Sequence, residues 1–309
     1  MQKIFIIFAI LILSSTSYSQ MKMRNLQTIN DDSALAETTS NSKRTTNFLE
    51  INKLGVQKFL IEKDYNQASA FFLQAVELAP DCLACKYNLG RSFLEAGKLD
   101  EALKIFNELL LINPKSADVY SSLGDAYCKK EMYEESASYF RQSIKLDPND
   151  AVTRSNFAIS LSRLQKFDEA LEHLNKAVKL QPDFAEAYSN RGYALFLLGR
   201  QKDALESLQK AEKINPNFAE IHNNLGVVLE YFGKKEEAKK HYLEAVRLKP
   251  DYGEGICNLA LVYLQAGDRE AAYNQLKMLE KVDFKLAAQL REVIWSKYVV
   301  NASKVKTKN

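Results

Sequence analysis

Residues 83–116 read LACKYNLGRSFLEAGKLDEALKIFNELLLINPKS. Apolar residues recur at three- and four-residue steps in both halves of this stretch. Such spacing is typical of amphipathic helices, and it predicts one helix near 84–96 and a second near 100–112. Pro114 follows the second helix and ends it, because proline lacks a backbone N–H and clashes with the preceding turn. The stretch therefore predicts a helical hairpin.

The same hairpin pattern returns along the chain at a fixed interval, which also separates all six prolines. The prolines are Pro80, Pro114, Pro148, Pro182, Pro216 and Pro250. Most of the prolines follow a small residue at one constant distance, as Pro114 follows Gly90. Each proline also follows a large apolar residue at a shorter constant distance, as Pro114 follows Phe106. A period of about 34 residues is typical of repeat proteins, in which small residues let helices approach and large residues fill the remaining space. The pattern predicts seven units over residues 48–282 and, since no stretch alternates like a strand, an all-α fold.

Two short motifs connect this pattern to a known family. The runs Y-N-L-G at Tyr87–Gly90 and N-N-L-G at Asn223–Gly226, with the later alanine, aromatic and proline columns, resemble the tetratricopeptide repeat (TPR) family. The resemblance covers roughly residues 49–282. It implies a right-handed superhelical solenoid of about seven helix-turn-helix units, whose first helices line a concave groove.

Some units depart from the family pattern. The first unit has Gly55 where leucine belongs and Val56 where glycine belongs, and the fifth unit has Arg191 at the leucine place. Terminal units of a solenoid are often atypical, because they cover exposed apolar faces. The sequence offers no reason for Arg191. An apolar stripe after the seventh unit predicts a capping helix over residues 283–301.

The N-terminus has the features of a secretory signal peptide. Lys3 precedes ten apolar residues, Ile4–Leu13, and small residues follow, so residues 1–19 are predicted to be removed by cleavage after Ser19. The apolar run is too short to span a membrane stably. Its ending resembles bacterial export signals, so we expect a periplasmic or secreted protein that does not span the membrane after cleavage.

Composition predicts the character of the remaining segments. Residues 20–47 are polar and lack helical periodicity, which predicts a flexible linker. Residues 302–309 predict a disordered basic tail. The formal net charge of +3 is close to neutral for this length and argues against nucleic acid as a partner.

Four cysteines are the main candidates for chemistry. Cys82 and Cys85 form a C-x-x-C motif at a predicted helix start, where a redox site or a local disulfide are both open interpretations. Cys128 and Cys257 lie in different units and are expected to stay free.

The three histidines, His173, His222 and His241, are scattered and show no ligand spacing, so the sequence predicts no catalytic residue, no metal site and no cofactor.

Two sets of first-helix residues are candidates for a peptide-binding groove. The first is an asparagine row, Asn88, Asn156, Asn190, Asn224 and Asn258, with Ser122 at the same place in the third unit. Amides can bind the backbone of an extended peptide without reading its sequence, although asparagine at this place is also a common feature of such repeats. The second is an apolar set in the later units, represented by Tyr193, Leu197, Tyr231 and Leu261. These side chains indicate either a partner site or packing against the next helix. The early units carry charged residues instead: Arg91, Asp125, Lys129 and Arg163.

These observations favour a non-enzymatic scaffold that binds an extended peptide or a helix of another protein in its concave groove, in the bacterial envelope or secreted. The alternative is an accessory that recruits substrates for a separate glycosyltransferase or secretion enzyme, which the asparagine row alone supports. A third interpretation is a thiol oxidoreductase acting through Cys82 and Cys85. The partner is expected to be a protein or peptide, and the sequence predicts no oligomeric state.

Overall fold

The computed structural model describes residues 42–306, with side chains described for residues 47–295. Within that range it contains fifteen helices and no strand, so the predicted all-α repeat class is confirmed. The helices are α1 Ser42–Gln57, α2 Tyr65–Leu78, α3 Leu83–Glu95, α4 Leu99–Ile112, α5 Ala117–Lys129, α6 Tyr133–Leu146, α7 Ala151–Arg163, α8 Phe167–Leu180, α9 Ala185–Leu197, α10 Gln201–Ile214, α11 Ala219–Tyr231, α12 Lys235–Leu248, α13 Gly253–Ala266, α14 Arg269–Val282 and α15 Phe284–Lys306. A π-helical turn, Lys58–Glu62, extends α1.

Both ends of the repeat region are more helical than the sequence predicts. The predicted signal peptide, residues 1–19, lies outside the described residues. Helix α1 begins at Ser42, inside the stretch predicted as linker, and α15 reaches Lys306, inside the predicted tail. Elongation adds one hydrogen bond for each residue fixed, so an established helix extends readily into polar sequence that shows no periodicity of its own. In the described part of the chain, no helix combines the length and apolarity needed to cross a membrane.

The chain divides into two compact units, whose boundary falls between Leu164 and Gln165. The N-terminal unit comprises α1 to α7, with hairpins α1/α2, α3/α4 and α5/α6. The C-terminal unit comprises α8 to α15, with hairpins α9/α10, α11/α12 and α13/α14. In the C-terminal unit, α15 packs on α13 and α14 through Leu286, Ala287, Leu290 and Ile294, which are buried.

Each hairpin turn contains one residue in the left-handed conformation. In four turns this residue is a glycine with φ between 75° and 85°: Gly97, Gly199, Gly233 and Gly267. At the same repeat place, other turns use residues with a side chain: Lys63, Glu131 and Gln165, with φ between 54° and 61°. Only glycine adopts this region without steric cost, so these non-glycine turns are strained.

The small-residue column lies directly against the large-residue column within each hairpin. A Cβ added to Gly90 would lie 2.7 Å from the ring of Phe106, and one added to Gly226 would lie 2.4 Å from the ring of Tyr242. Both aromatic side chains are fully buried. The predicted reason for the small column, close approach of two helices, is therefore confirmed.

The π-helical turn explains why the first unit departs from the repeat pattern. Gly55 contacts Phe72 as Gly90 contacts Phe106, but the interval from Gly55 to Phe72 along the chain is longer by one position. A π-helical turn holds one more residue than an α-helical turn. Every residue before Lys58–Glu62 is therefore shifted by one place, and Gly55 takes the position that glycine occupies in other units.

Candidate functional site

The asparagine row is buried within the stack. Asn88, Asn156, Asn190, Asn224 and Asn258 are at most 4% exposed. The side-chain amides donate to the preceding first helix: Asn88 to Asn52 Oδ1 at 3.5 Å, Asn156 to Asp125 Oδ1 at 3.0 Å, Asn224 to Ser189 Oγ at 3.1 Å, and Asn258 to Asn223 Oδ1 at 2.8 Å. The prediction that this row lines an open groove is wrong, because these side chains face a neighbouring helix and join successive repeats.

Two positions on each first helix, four residues apart, differ between the two compact units; we call them the paired positions. On α3 and α5 of the N-terminal unit they are Arg91 and Glu95, and Asp125 and Lys129, whereas α7 of this unit carries Ile159 and Arg163. Arg91 donates to Asp125 Oδ2 and to Glu95 Oε1, each at 3.2 Å, and Lys129 lies 2.8 Å from Glu95 Oε2. Arg91 has no exposed surface. Burial opposes its charge, but Tyr87 and the two carboxylates raise the pKa of Arg91 overall. These charges are neutralised within the unit.

In the C-terminal unit the paired positions are apolar. They are Tyr193 and Leu197 on α9, Val227 and Tyr231 on α11, and Leu261 on α13, followed there by Gln265. Tyr193, Val227 and Leu261 are at most 8% exposed, and Leu197 is partly buried. Tyr231 is 43% exposed, with its ring edge-to-face against Phe196 at 5.8 Å between centroids. The set therefore combines core packing with one open tyrosine.

An apolar cleft lies between α9 and α11 at these positions. The cleft is narrow, and its lining consists of largely buried residues: Gly192, Tyr193, Phe196, Leu208, Asn224, Val227 and Val228. Asn224 is the one amide in that lining. Its Oδ1 atom has no hydrogen-bond partner among the described residues. The accessible lining of the cleft is therefore apolar, because the Oδ1 atom of Asn224 is itself buried.

The structure gives Arg191 a packing role. Its guanidinium lies 5.0 Å from the centre of the Tyr188 ring, and its Nε donates to Ser207 Oγ at 3.0 Å. Burial lowers the pKa of Arg191 from its ordinary value. The small side chain of Ser207 leaves space for the Arg191 side chain. A leucine at position 191 could make neither the hydrogen bond nor the cation–ring contact.

The cysteines show no exposed reactive pair. Cys82 and Cys85 form a disulfide with a Cα–Cα distance of 5.3 Å, and Cys85 is fully buried. Cys128 and Cys257 are free and buried, as expected. Burial raises the pKa of the Cys128 thiol to about 11 and raises that of Cys257 further. Since the thiolate is the nucleophile, both free thiols are expected to be unreactive in the folded state.

The interpretation of the histidines as scattered is wrong for two of them. His222 on α11 and His241 on α12 stack, with 3.1 Å between their Nδ1 atoms. The repeat supplied a signal: Tyr120 and Tyr139, at the same repeat positions, also lie ring against ring at 6.4 Å. Because this separation along the chain brings side chains together across a hairpin, His222 and His241 could have been paired from the sequence.

Family comparisons establish what kind of protein this repeat stack is. Models described as tetratricopeptide repeat match residues 59–125, 117–150 and 219–252, and one described as TPR repeat matches residues 160–199 and 192–230. Together they cover more than half of the chain, so the chain belongs to the tetratricopeptide-repeat family. Proteins of this class use their stacked repeats to bind other proteins or peptides. No curated protein sequence matches the chain significantly.

Several solved structures share the fold at low identity. A tetratricopeptide repeat protein from Parabacteroides merdae is 14% identical, with a TM-score of 0.65 over 81% of this chain and 99% of its own. One chain of the APC/C hetero-tetramer Cut9–Hcn1 is 21% identical, with a TM-score of 0.66 over 87% of this chain and 52% of its own length. PilF from Pseudomonas aeruginosa is 18% identical, with a TM-score of 0.57 over 69% of this chain and 98% of its own. At these identities the likeness concerns the fold alone.

Proposed function

We propose that this protein is a non-enzymatic scaffold that binds an extended segment or a helix of another protein, and that the apolar cleft between α9 and α11 is its principal contact. The family supports the general role, because tetratricopeptide repeats generally act as scaffolds for other proteins. The site within the chain rests on the geometry of the C-terminal unit.

The observation that carries the proposal is the open tyrosine beside an apolar cleft. Tyr231 exposes 43% of its surface and packs edge-to-face on Phe196, which lines the cleft. Tyrosine is enriched among residues that dominate binding energy, because it buries a large apolar area and keeps a polar end. The corresponding positions on α3 and α5 of the N-terminal unit are instead closed by ion pairs.

The lining also indicates the chemistry of the bound segment. Apart from Asn224, whose Oδ1 atom is buried, the residues that line the cleft are mainly apolar, and Tyr231 lies exposed beside them. A bound segment that covers the exposed ring of Tyr231 with an apolar side chain would match this surface. We therefore propose an apolar anchor residue that packs on Tyr231.

We further propose that the protein acts in the bacterial periplasm or outside the cell, after cleavage following Ser19. The predicted signal peptide supports this location. The disulfide between Cys82 and Cys85 also supports it, because disulfides persist in oxidising compartments. Mass spectrometry of the protein from its native host would test this, since an intact Met1 would contradict it.

The two other interpretations of the sequence have lost their supporting observations. The accessory of a glycosyltransferase rested on the asparagine row, whose amides are buried and bonded inside the stack. The thiol oxidoreductase lacks structural support, because the Cys82–Cys85 disulfide lies in an all-helical repeat without the βαβ context of thioredoxin-type redox sites. No other arrangement of the described residues favours either function.

Selection of peptides from a random library on the purified protein would test the binding proposal. The selected peptides are expected to contain an apolar anchor, and Tyr231→Ala should weaken their binding by at least about tenfold. Tyr273→Ala is the matched control, because Tyr273 is 52% exposed on α14, a second helix of the same unit.

Two outcomes would contradict the proposal. One is equal affinity of the selected peptides for the Tyr231→Ala variant and the unmodified protein. The other is an equal loss in Tyr231→Ala and Tyr273→Ala, which would show that the cleft is not the specific contact.

A further inference from the structure

Three potential metal ligands from three consecutive helices of the C-terminal unit converge on one point. They are Glu212 near the end of α10, His222 in the second turn of α11, and His241 in the middle of α12. Glu212 Oε1 lies 3.7 Å from His222 Nδ1 and 3.8 Å from His241 Nδ1, and the two Nδ1 atoms are 3.1 Å apart. No short sequence motif indicates this cluster, because its three residues lie on three different helices and come together only in the folded repeats.

The ligand spacing fits a tetrahedral zinc site. With zinc–ligand bonds of about 2.0–2.1 Å, neighbouring ligand atoms in a tetrahedron lie about 3.3–3.4 Å apart. The three observed separations bracket that value, so shifts of a few tenths of an ångström would complete the geometry. His241 and Glu212 keep 25% and 33% of their side-chain surface exposed, which allows such adjustment and leaves a fourth position for water.

The surroundings of His222 orient it as a ligand. Its Nε2 lies 2.8 Å from the carbonyl oxygen of Pro216 and donates its proton there. This bond leaves the lone pair on Nδ1, the atom that faces His241 and Glu212. Metal-binding histidines commonly donate their other ring N–H to a carbonyl or carboxylate in this way. Arg154 also donates to the carbonyl of its repeat proline, Pro148, at 2.6 Å, so this contact belongs to the repeat geometry.

Carboxylates lie near the histidine pair. Besides Glu212, the carboxylates of Glu237 and Glu244 act on His241, and these two are themselves paired with Lys234 and Arg247. Two imidazoles and one carboxylate form a donor set that zinc uses elsewhere, whereas magnesium and calcium prefer oxygen ligands alone.

We propose that Glu212, His222 and His241 bind one Zn²⁺ ion and thereby join α10 to the α11/α12 hairpin. Without the ion, His241 Nδ1–H donates to His222 Nδ1. On binding, the proton of His241 moves to its Nε2 through solvent, Nδ1 becomes a ligand, and Glu212 binds as the ionised carboxylate. The inference is independent of the peptide-binding cleft, since none of the three residues lines it.

Calorimetric titration of the untagged, chelator-treated protein with Zn²⁺ would test the site. One ion should bind per chain, and the thermal unfolding midpoint should rise with zinc. His241→Ala should weaken binding by more than about tenfold, since loss of an outer-shell partner alone often costs that much. Glu212→Gln is the second variant, because it removes the carboxylate ligand and keeps the size of a partly exposed side chain.

His173→Ala is the matched control, because His173 occupies the same repeat position as His241 on α8. It should bind zinc as the unmodified protein does. Absence of zinc binding by the unmodified protein would overturn the proposal. Undiminished binding by both His241→Ala and Glu212→Gln would overturn it as well, as would an equal loss in His173→Ala.

Discussion

The paired positions carry charged side chains on α3 and α5 of the N-terminal unit and mainly apolar side chains in the C-terminal unit, on the same type of repeat backbone. In the N-terminal unit, Arg91, Glu95, Asp125 and Lys129 neutralise one another at distances of 2.8–3.2 Å. In the C-terminal unit, the equivalent residues are Tyr193, Leu197, Val227 and Tyr231, of which Tyr193 and Val227 line the apolar cleft and Tyr231 is exposed. The fold fixes where these side chains lie, and their chemistry decides whether the surface is closed or available. Charged side chains that already pair with one another offer little to a partner, whereas an exposed tyrosine beside apolar residues offers a contact surface.

The largest effect is expected from breaking the closed surface of the N-terminal unit. Arg91→Ala removes the cation that bridges Glu95 and Asp125 and leaves their carboxylates poorly compensated in a buried site. The free energy of unfolding should fall by about 3–5 kcal/mol. Denaturant titration followed by circular dichroism would measure it.

Lys176→Ala is the control for this prediction, since the Lys176–Glu172 pair is at least half exposed and should contribute less than about 1 kcal/mol. A loss for Arg91→Ala as small as that of the control would show that the buried pairs are not structural.

A smaller but more specific effect is expected from placing the ion pair of the N-terminal unit at the paired positions of the C-terminal unit. Val227→Asp places a carboxylate at a position that is 4% exposed, without a cation, and should destabilise the protein by about 3 kcal/mol. Adding Tyr193→Arg recreates the arrangement of Arg91 and Asp125 and should restore at least about 1 kcal/mol of that loss.

A double-mutant cycle from denaturant unfolding measures this coupling. Additive losses from the two substitutions would show that the paired positions do not face each other in the C-terminal unit as they do in the N-terminal unit.

The smallest expected effect concerns the hairpin turns, in which the two units also differ. The C-terminal unit uses Gly199, Gly233 and Gly267 at the left-handed position, whereas the N-terminal unit closes α5/α6 with Glu131 at φ 61°. Glu131→Gly removes steric strain of about 1–2 kcal/mol and costs about 0.5–1 kcal/mol of chain entropy. A net stabilisation of roughly 0.5 kcal/mol should appear as a higher unfolding midpoint.

Gly233→Ala is the opposite substitution and should lower the unfolding midpoint, because alanine is strained in the left-handed conformation. An added methyl group would meet no neighbouring atom, so the backbone strain is the whole effect. A midpoint that falls in Glu131→Gly would mean that the glutamate side chain makes a contact that outweighs the strain.

The period of the sequence was sufficient to predict the hairpins, because it records contacts made inside every unit. Gly226 against Tyr242 and Gly97 in the turn are local requirements, and each appears as a column of residues. Helix ends are less predictable, since elongation of α1 and α15 into polar sequence depends on hydrogen bonds that any residue can make.

The candidate site was harder to predict, because it depends on contacts between units of the repeat. Whether Asn224 and Asn258 face solvent or the preceding helix is set by the stacking distance, which periodicity does not contain. The cluster of Glu212, His222 and His241 requires one contact across a hairpin and another to the helix before it. Such convergence becomes visible only when the register of adjacent repeats is known.

The wider turn at Lys58–Glu62 bears on how a repeat array tolerates changes in length. An extra residue in an ordinary helix rotates everything beyond it by about 100° around the axis and would misdirect its whole contact face. Here the surplus residue is absorbed within one turn, so that Gly55 and Asn52 on one side still meet Phe72 and Asn88. A terminal repeat can therefore accept an insertion locally, while its neighbours keep their alignment unchanged.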